Sequence, residues 1–172
     1  MPRVGGPTIP NRTHKATVND IVMTPDWVAK WAIDHFQPTG VILEPCRGSG
    51  AFFKAFPDGQ SKEWCEITEG KDFLDYDKKV DWIITNPPFS IYDTFLLKSL
   101  KLADNVVFLT PLVKAFKSQK IDKKVAEFGG LKEIVTLGGG RKIGFPFGFQ
   151  VGFLYYKRGW SREITYTRSY SK

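Results

Sequence analysis

The sequence predicts an α/β domain organised around a mostly parallel sheet. Two observations carry this. Short apolar runs of strand length, such as "GVILEP", "DWIIT" and "NVVFLTP", alternate with segments of helical periodicity. The chain also has the means for a core: 172 residues, 42% hydrophobic and 15% aromatic, with no internal repeat. These features point to one folded domain over residues 20–157, preceded by an arm (1–19) and followed by a basic tail (158–172).

Residues Met1–Asn19 combine Pro2, Pro7, Pro10, Gly5 and Gly6 with Arg3, Arg12 and Lys15, the composition of a flexible basic arm. The first helix is expected over "TPDWVAKWAIDHF", with Thr24 as N-cap, Pro25 at the first helical position, and Trp27, Val28, Trp31, Ala32 and Phe36 as its apolar stripe. A buried strand, "GVILEP", comes next, and "GSGAFFKAFP" reads as a glycine turn feeding a short helix that Pro57 stops. "KEWCEI" is the second strand, ending at Glu66, "KDFLDY" a short third element, and "DWIIT" the next strand. Then come a helix in "YDTFLLKSLKLA", a strand in "NVVFLTP", and a basic helix in "KIDKKVAEFG" ended by Gly129 and Gly130. "KEIVTL" and "VGFLYYK" close the pattern as antiparallel neighbours, separated by "GGGRKIGFPFGF".

The formal net charge of +7, with a pI near 9.4, favours an anionic partner such as nucleic acid. The two cysteines, Cys46 and Cys65, form neither a disulfide framework nor a metal-ligand spacing, so a reducing, cytoplasmic setting fits and no metal site is expected. No apolar stretch approaches membrane-spanning length, and the Pro/Gly-rich start is not a signal peptide.

Two stretches carry chemistry. In "ILEPCRGSG" a strand ends in a carboxylate, and glycines then open a helix. Glycines there let a ligand approach the backbone, and the helix start offers unpaired N–H groups. The same pattern also serves as a plain strand-to-helix turn. If a ligand binds, Glu44 disfavours a phosphate. Glu44 and Glu66 together suit a ligand carrying a cationic centre and a ribose. The second stretch is "TNPPFS". Proline fixes its own φ and holds the preceding residue extended, so Asn86 is extended, the Pro87 carbonyl is rigid, and an aromatic, Phe89, comes just beyond.

Together Glu44-Pro45-Cys46-Arg47-Gly48-Ser49-Gly50 and Asn86-Pro87-Pro88-Phe89, in this order and at strand ends, resemble the S-adenosylmethionine-dependent amino-methyltransferases, most closely the DNA adenine-N6 methyltransferases. The resemblance spans roughly residues 20–157. It implies a Rossmann-like methyltransferase fold with a mostly parallel, seven-stranded sheet and an antiparallel last strand. It also implies S-adenosylmethionine as cofactor, held by Thr24, Glu44, Pro45, Gly48, Gly50, Glu66, Asp72 and Phe73. Within that set the Thr24-Pro25 pair would serve the methionine end, and Asp72-Phe73 the adenine. Only five residues separate Glu66 from Asp72, too few for the helix the family places there, so an abbreviated sheet edge is expected.

The resemblance assigns the chemistry to Asn86, Pro87, Pro88 and Phe89. The Asn86 side-chain oxygen and the Pro87 carbonyl would take the two hydrogens of an exocyclic ring amine and aim its lone pair at the methyl group, while Phe89 stacks on the base. A paired adenine must be flipped out for this. Phe145 or Phe147 is the expected second aromatic wall, with Arg141 and Lys142 beside it on the substrate. The segment Lys114, Lys117, Lys120, Lys123 and Lys124 reads either as a phosphate-binding stretch or as a solvated helix face. Cys46 and Cys65 are expected to pack, and His14 and His35 to lie at the surface.

The chain ends about 15 residues after its last expected strand. Sequence discrimination is therefore assigned to loops, arm, tail, or a partner, either a homodimer mate or an accessory specificity protein. DNA is the expected substrate. The competing readings are methylation of RNA at adenine N6 or guanine N2, of a protein glutamine amide (where the family favours tyrosine after the prolines), or a non-catalytic nucleic-acid-binding module. An intact Asn-Pro-Pro-Phe beside intact cofactor glycines counts against the last.

Overall fold

The structure, a computed structural model, describes residues 22–169. The expected arm and His14 lie outside the described residues. Seven strands form one sheet: β1 (Val41–Glu44), β2 (Ser61–Trp64), β3 (Val80–Thr85), β4 (Ala103–Pro111), β5 (Gly129–Gly139), β6 (Gln150–Arg158) and β7 (Thr165–Arg168), in the spatial order β2-β1-β3-β4-β6-β5-β7. The strands from β2 to β4 are parallel; β6 runs antiparallel between β4 and β5. Helices α1 (Asp26–Phe36), α2 (Ala51–Ala55), α3 (Tyr92–Leu102) and α4 (Gln119–Phe128) cover the two faces.

Successive strand residues point to opposite faces, so each apolar run supplies two cores at once. Ile42, Ile84, Val107, Leu109 and Phe153 pack with α1 and α2 on one face. Leu43, Ile83, Val106, Phe108 and Leu154 pack with α3 and α4 on the other. This double burial is why the runs read as continuously apolar.

Several expectations are corrected. Thr24 does not cap α1: Pro25 holds the N-cap position, and its carbonyl accepts from the N–H groups of Val28 and Ala29 at 3.0 and 3.2 Å. The buried stripe is Val28, Ala29, Ala32, Ile33 and Phe36, with Trp27 turned to solvent. Strand β2 stops at Trp64, so Glu66 lies two residues beyond it and caps a one-turn 3-10 helix, Ile67–Glu69. "KDFLDY" contributes another such turn, Phe73–Asp75. β2 is thus the outer strand, and the sheet edge is abbreviated as expected.

The antiparallel strand expected last is β6. Beyond it, in the segment expected as tail, Thr165–Arg168 pairs parallel with β5 and restores the count to seven at the opposite edge. Among the described residues no helix is long and apolar enough to cross a membrane.

Candidate active site

Strands β1 and β3 pair in parallel, Ile42 with Trp82 and Leu43 with Ile83. The segments leaving the two strands therefore emerge at one sheet edge. There Val22, Thr24, Glu44, Cys46, Gly48 and Asn86 line a single cleft.

Glu44 ends β1 with only 2% exposure, and its Oε2 accepts from the Phe53 N–H of α2 at 2.7 Å. Burial pushes its carboxyl up to about 8, against the smaller opposing pull of that N–H and of Arg47. A carboxyl in this state is restored to its charged form by a cation placed beside it. After it, Gly48 and Gly50 adopt left-handed φ values of 51° and 81°. A Cβ at Gly48 would meet only the Met23 sulfur, at 3.4 Å, so the loop leaves room above its backbone.

The loop is anchored by the segment that follows β2. The Arg47 N–H donates to the Cys65 carbonyl at 2.9 Å, and the Gly48 N–H donates to Glu66 Oε2 at 2.8 Å. The Arg47 guanidinium lies 3.8 Å from the Trp64 ring centre and pairs with Glu69. Glu66 Oε1 accepts from the Thr68 N–H and hydroxyl at 3.1 and 2.8 Å. Partial burial raises the Glu66 carboxyl, but these donors outweigh it and hold the group below the usual carboxylate range.

Asn86 sits just past the end of β3. Its side-chain nitrogen donates to the Val22 carbonyl at 2.8 Å and to the Thr24 hydroxyl at 3.2 Å. A carbonyl cannot donate, so the amide orientation is settled by chemistry. The other end, Oδ1, is buried with no hydrogen-bond partner. The turn beneath is tied down: Cys46 Sγ lies 2.9 Å from the Thr85 hydroxyl and 3.2 Å from the Asn86 carbonyl, and the Pro88 carbonyl accepts from the Ile91 N–H at 3.3 Å. These bonds fix the backbone on both sides of Pro87.

The Phe89 ring lies 5.8 Å from that of Phe147, edge to face, and Phe147 lies 5.5 Å from both Phe145 and Phe149. Of the two rings expected as a second wall, Phe147 reaches Phe89. Phe145 is buried behind it in the core. Arg141 and Lys142 are exposed on the turn Gly140–Ile143.

The structure therefore gathers Thr24, Glu44, Gly48 and Asn86, and attaches Glu66 through Gly48. Asp72 and Phe73 are not among the residues that line this cleft, although Lys71 beside them bridges to Glu66. Asp72 Oδ1 accepts from the Leu74 N–H of its own turn at 2.9 Å. The Phe73 ring is 2% exposed and packs 5.0 Å from Phe95.

Two features escaped sequence reasoning. The Val22 carbonyl is a main-chain group without any residue signature. Cys46, expected only to pack, braces the Asn86 turn; its position between the strand end and the glycines of the loop was the available signal.

No protein-family model matches the chain, and no curated protein matches its sequence. Solved structures do resemble it, and three of these carry provisional assignments. A class I S-adenosylmethionine-dependent methyltransferase from Listeria monocytogenes is 14% identical with a TM-score of 0.67, over 90% of this chain and 68% of that one. The modification subunit of a type I restriction enzyme from Vibrio vulnificus is 15% identical with a TM-score of 0.63, over 89% of this chain and 48% of that one. An RNA methyltransferase from Pyrococcus horikoshii is 19% identical with a TM-score of 0.58, over 77% of this chain and 83% of that one. At these identities the likeness speaks for architecture: the chain has the Rossmann-like fold of the class I methyltransferases.

Proposed function

We propose that the chain transfers a methyl group from S-adenosylmethionine to the exocyclic N6 of adenine in DNA, with the target base turned out of the duplex. One observation carries the reading: Asn86 Oδ1 is a buried acceptor without a partner, on a residue that lines one cleft together with Glu44 and Gly48. Burying an acceptor unpaired costs about 1–3 kcal/mol, so an incoming N–H donor is favoured at this point.

The residues suit the cofactor. Glu44 answers its cationic methionine end, Gly48 and Gly50 leave space for it, and Glu66, held ionised, offers acceptors to ribose hydroxyls. Bound there, S-adenosylmethionine would supply an electrophilic methyl carbon. The chain's own part is positioning. A ring amine is a poor nucleophile because its lone pair is delocalised into the ring. Asn86 Oδ1 and the Pro87 carbonyl, both fixed, accept its two N–H bonds and draw the nitrogen toward tetrahedral geometry. As the nitrogen–carbon bond forms, the methyl–sulfur bond of the cofactor would break and leave a neutral thioether. An amide oxygen is too weak a base to take the proton that the amine then gives up, so that proton passes to water and Asn86 works by orientation. Phe89 and Phe147 give the base its aromatic contact.

DNA is favoured by the +7 charge, by the exposed Arg141, Lys142, Lys117 and Lys120, and by the architectural likeness to a restriction-modification subunit. Recognition of a particular site falls to the surrounding loops or to a partner, a second copy or an accessory protein. RNA is the second reading, favoured by the likeness to an RNA methyltransferase. The test is transfer of labelled methyl to duplex DNA, single-stranded DNA and RNA, followed by nucleoside identification. N6-methyladenine in DNA is expected. Label confined to RNA would replace the DNA reading with the second, and label in none of the three would overturn both.

A further inference from the structure

The loop from β4 to α4 does more than turn the chain. Leu112–Phe116 forms a short 3-10 helix whose Val113 and Phe116 are 67% and 74% exposed, the most exposed large apolar side chains among the described residues. β4 lies between β3 and β6, so this loop leaves the sheet at the edge that carries Asn86, next to the entry of β6. Lys114 ties it there, its Nζ donating to the Phe89 carbonyl at 2.8 Å. Phe149, also exposed, stands on the β6 side of the same edge, in contact with Phe147.

The order of residues matters as much as their exposure. Within the loop the two exposed apolar side chains are each followed directly by a lysine, Val113 by Lys114 and Phe116 by Lys117. Lys117 and Lys120 are exposed, and α4 continues with the exposed Lys123. A protein partner is matched by a contiguous apolar patch. Apolar faces interleaved with cations instead match a strand of nucleic acid, in which flat bases alternate with phosphates.

We propose that Val113 and Phe116 form a stacking contact for the bases beside the target adenine, with Lys117 and Lys120 on the flanking phosphates. The loop holds open the strand from which the target base has been turned out. This rests on the reading that the substrate is DNA.

The test is binding of a fluorescently labelled, adenine-containing duplex to the full chain, with methylation of the same duplex. Phe116→Ala is expected to weaken DNA binding about tenfold, to raise KM for DNA more than it lowers kcat, and to leave S-adenosylmethionine affinity unchanged. Phe116→Trp, which keeps a ring face, should restore binding. Val113→Ala should weaken it less, and gives a second reading of the same surface if a Phe116 variant fails to fold. If Phe116→Ala and Val113→Ala bind DNA like the wild type while the wild type methylates it, this proposal falls and the methyl-transfer reading stands. If the wild type binds no DNA, both fall. A loss of self-association with unchanged DNA affinity would assign the surface to a second copy of the chain and overturn the proposal.

Discussion

The Asn86 side-chain nitrogen donates to the Val22 carbonyl 2.8 Å away, and this contact fixes which way round the amide sits. The segment ahead of α1 thus orients the group at the end of β3, 64 positions further along the chain. It leaves Oδ1 buried and unpaired. The cleft is asymmetric as a result: a buried, proton-holding carboxyl on the β1 side and a bare amide acceptor on the β3 side.

On the proposed reading the Glu44 side would make cofactor binding proton-linked. Burial holds its carboxyl at about 8, and a cation beside it favours the charged form. Binding at pH 7 should therefore release close to one proton per site. Calorimetry in buffers of different ionisation enthalpy would read this, and Glu44→Gln should remove most of the buffer dependence along with most of the affinity. An observed enthalpy independent of buffer would contradict the role given to Glu44.

The same group sets a pH trend in the stability of the ligand-free protein. Its folded value lies above its ordinary one of 4.5, so its contribution is complete below about pH 4.5, falls as pH rises toward 8, and levels off above. Glu44→Gln mimics the protonated form. It should raise Tm at pH 9 relative to the wild type, by an amount on the order of a few kcal/mol in stability, and should matter little at pH 5. Equal shifts in Tm at the two pH values would contradict the burial of a titrating carboxyl.

Gly48→Val tests the loop. At a φ of 51° a β-branched residue is strained, and its side chain enters the space near Met23. A stability loss of about 1–2 kcal/mol is expected, together with loss of S-adenosylmethionine binding in protein that remains folded. Unchanged affinity by calorimetry would remove the glycine loop from the cofactor site.

How far a feature is legible in the sequence depends on whether its contacts require a particular residue type. The strands were visible because burial on both faces demands unbroken apolar runs such as Val106–Leu109. β7 was not, because a four-residue outer strand, Thr165–Arg168, whose large side chain Tyr166 is exposed has no apolar periodicity to display. Glu44, Gly48 and Asn86 stood out because few residue types can do what those positions ask. Phe73 and Phe145 show the opposite case. An aromatic beside a site serves either the ligand or the core, and only packing decides; here both rings went to the core. Thr24 looked like a helix cap because Thr-Pro is a common helix start, yet its hydroxyl had a better use as an acceptor for Asn86.

Binding to duplex DNA should be steeply salt-dependent, given the +7 charge and the exposed lysines of α4. Affinity measured by anisotropy should fall at least tenfold between about 50 and 200 mM salt if three or more phosphates are neutralised. An affinity that hardly changes over this range would point away from phosphate contacts and toward a protein substrate.

Single-turnover methylation by Asn86→Ala, with saturating cofactor and DNA, is the most direct measurement of the mechanism. On the proposed mechanism the amide oxygen acts on the amine only during transfer, so cofactor affinity should survive. The rate of the chemical step should fall about a hundredfold or more, the loss typical of removing one positioned group at a reacting centre. Asn86→Asp keeps an acceptor and should lose less. A folded Asn86→Ala protein that binds cofactor and methylates adenine at the wild-type rate would contradict the assignment of Asn86 as the group that orients the amine.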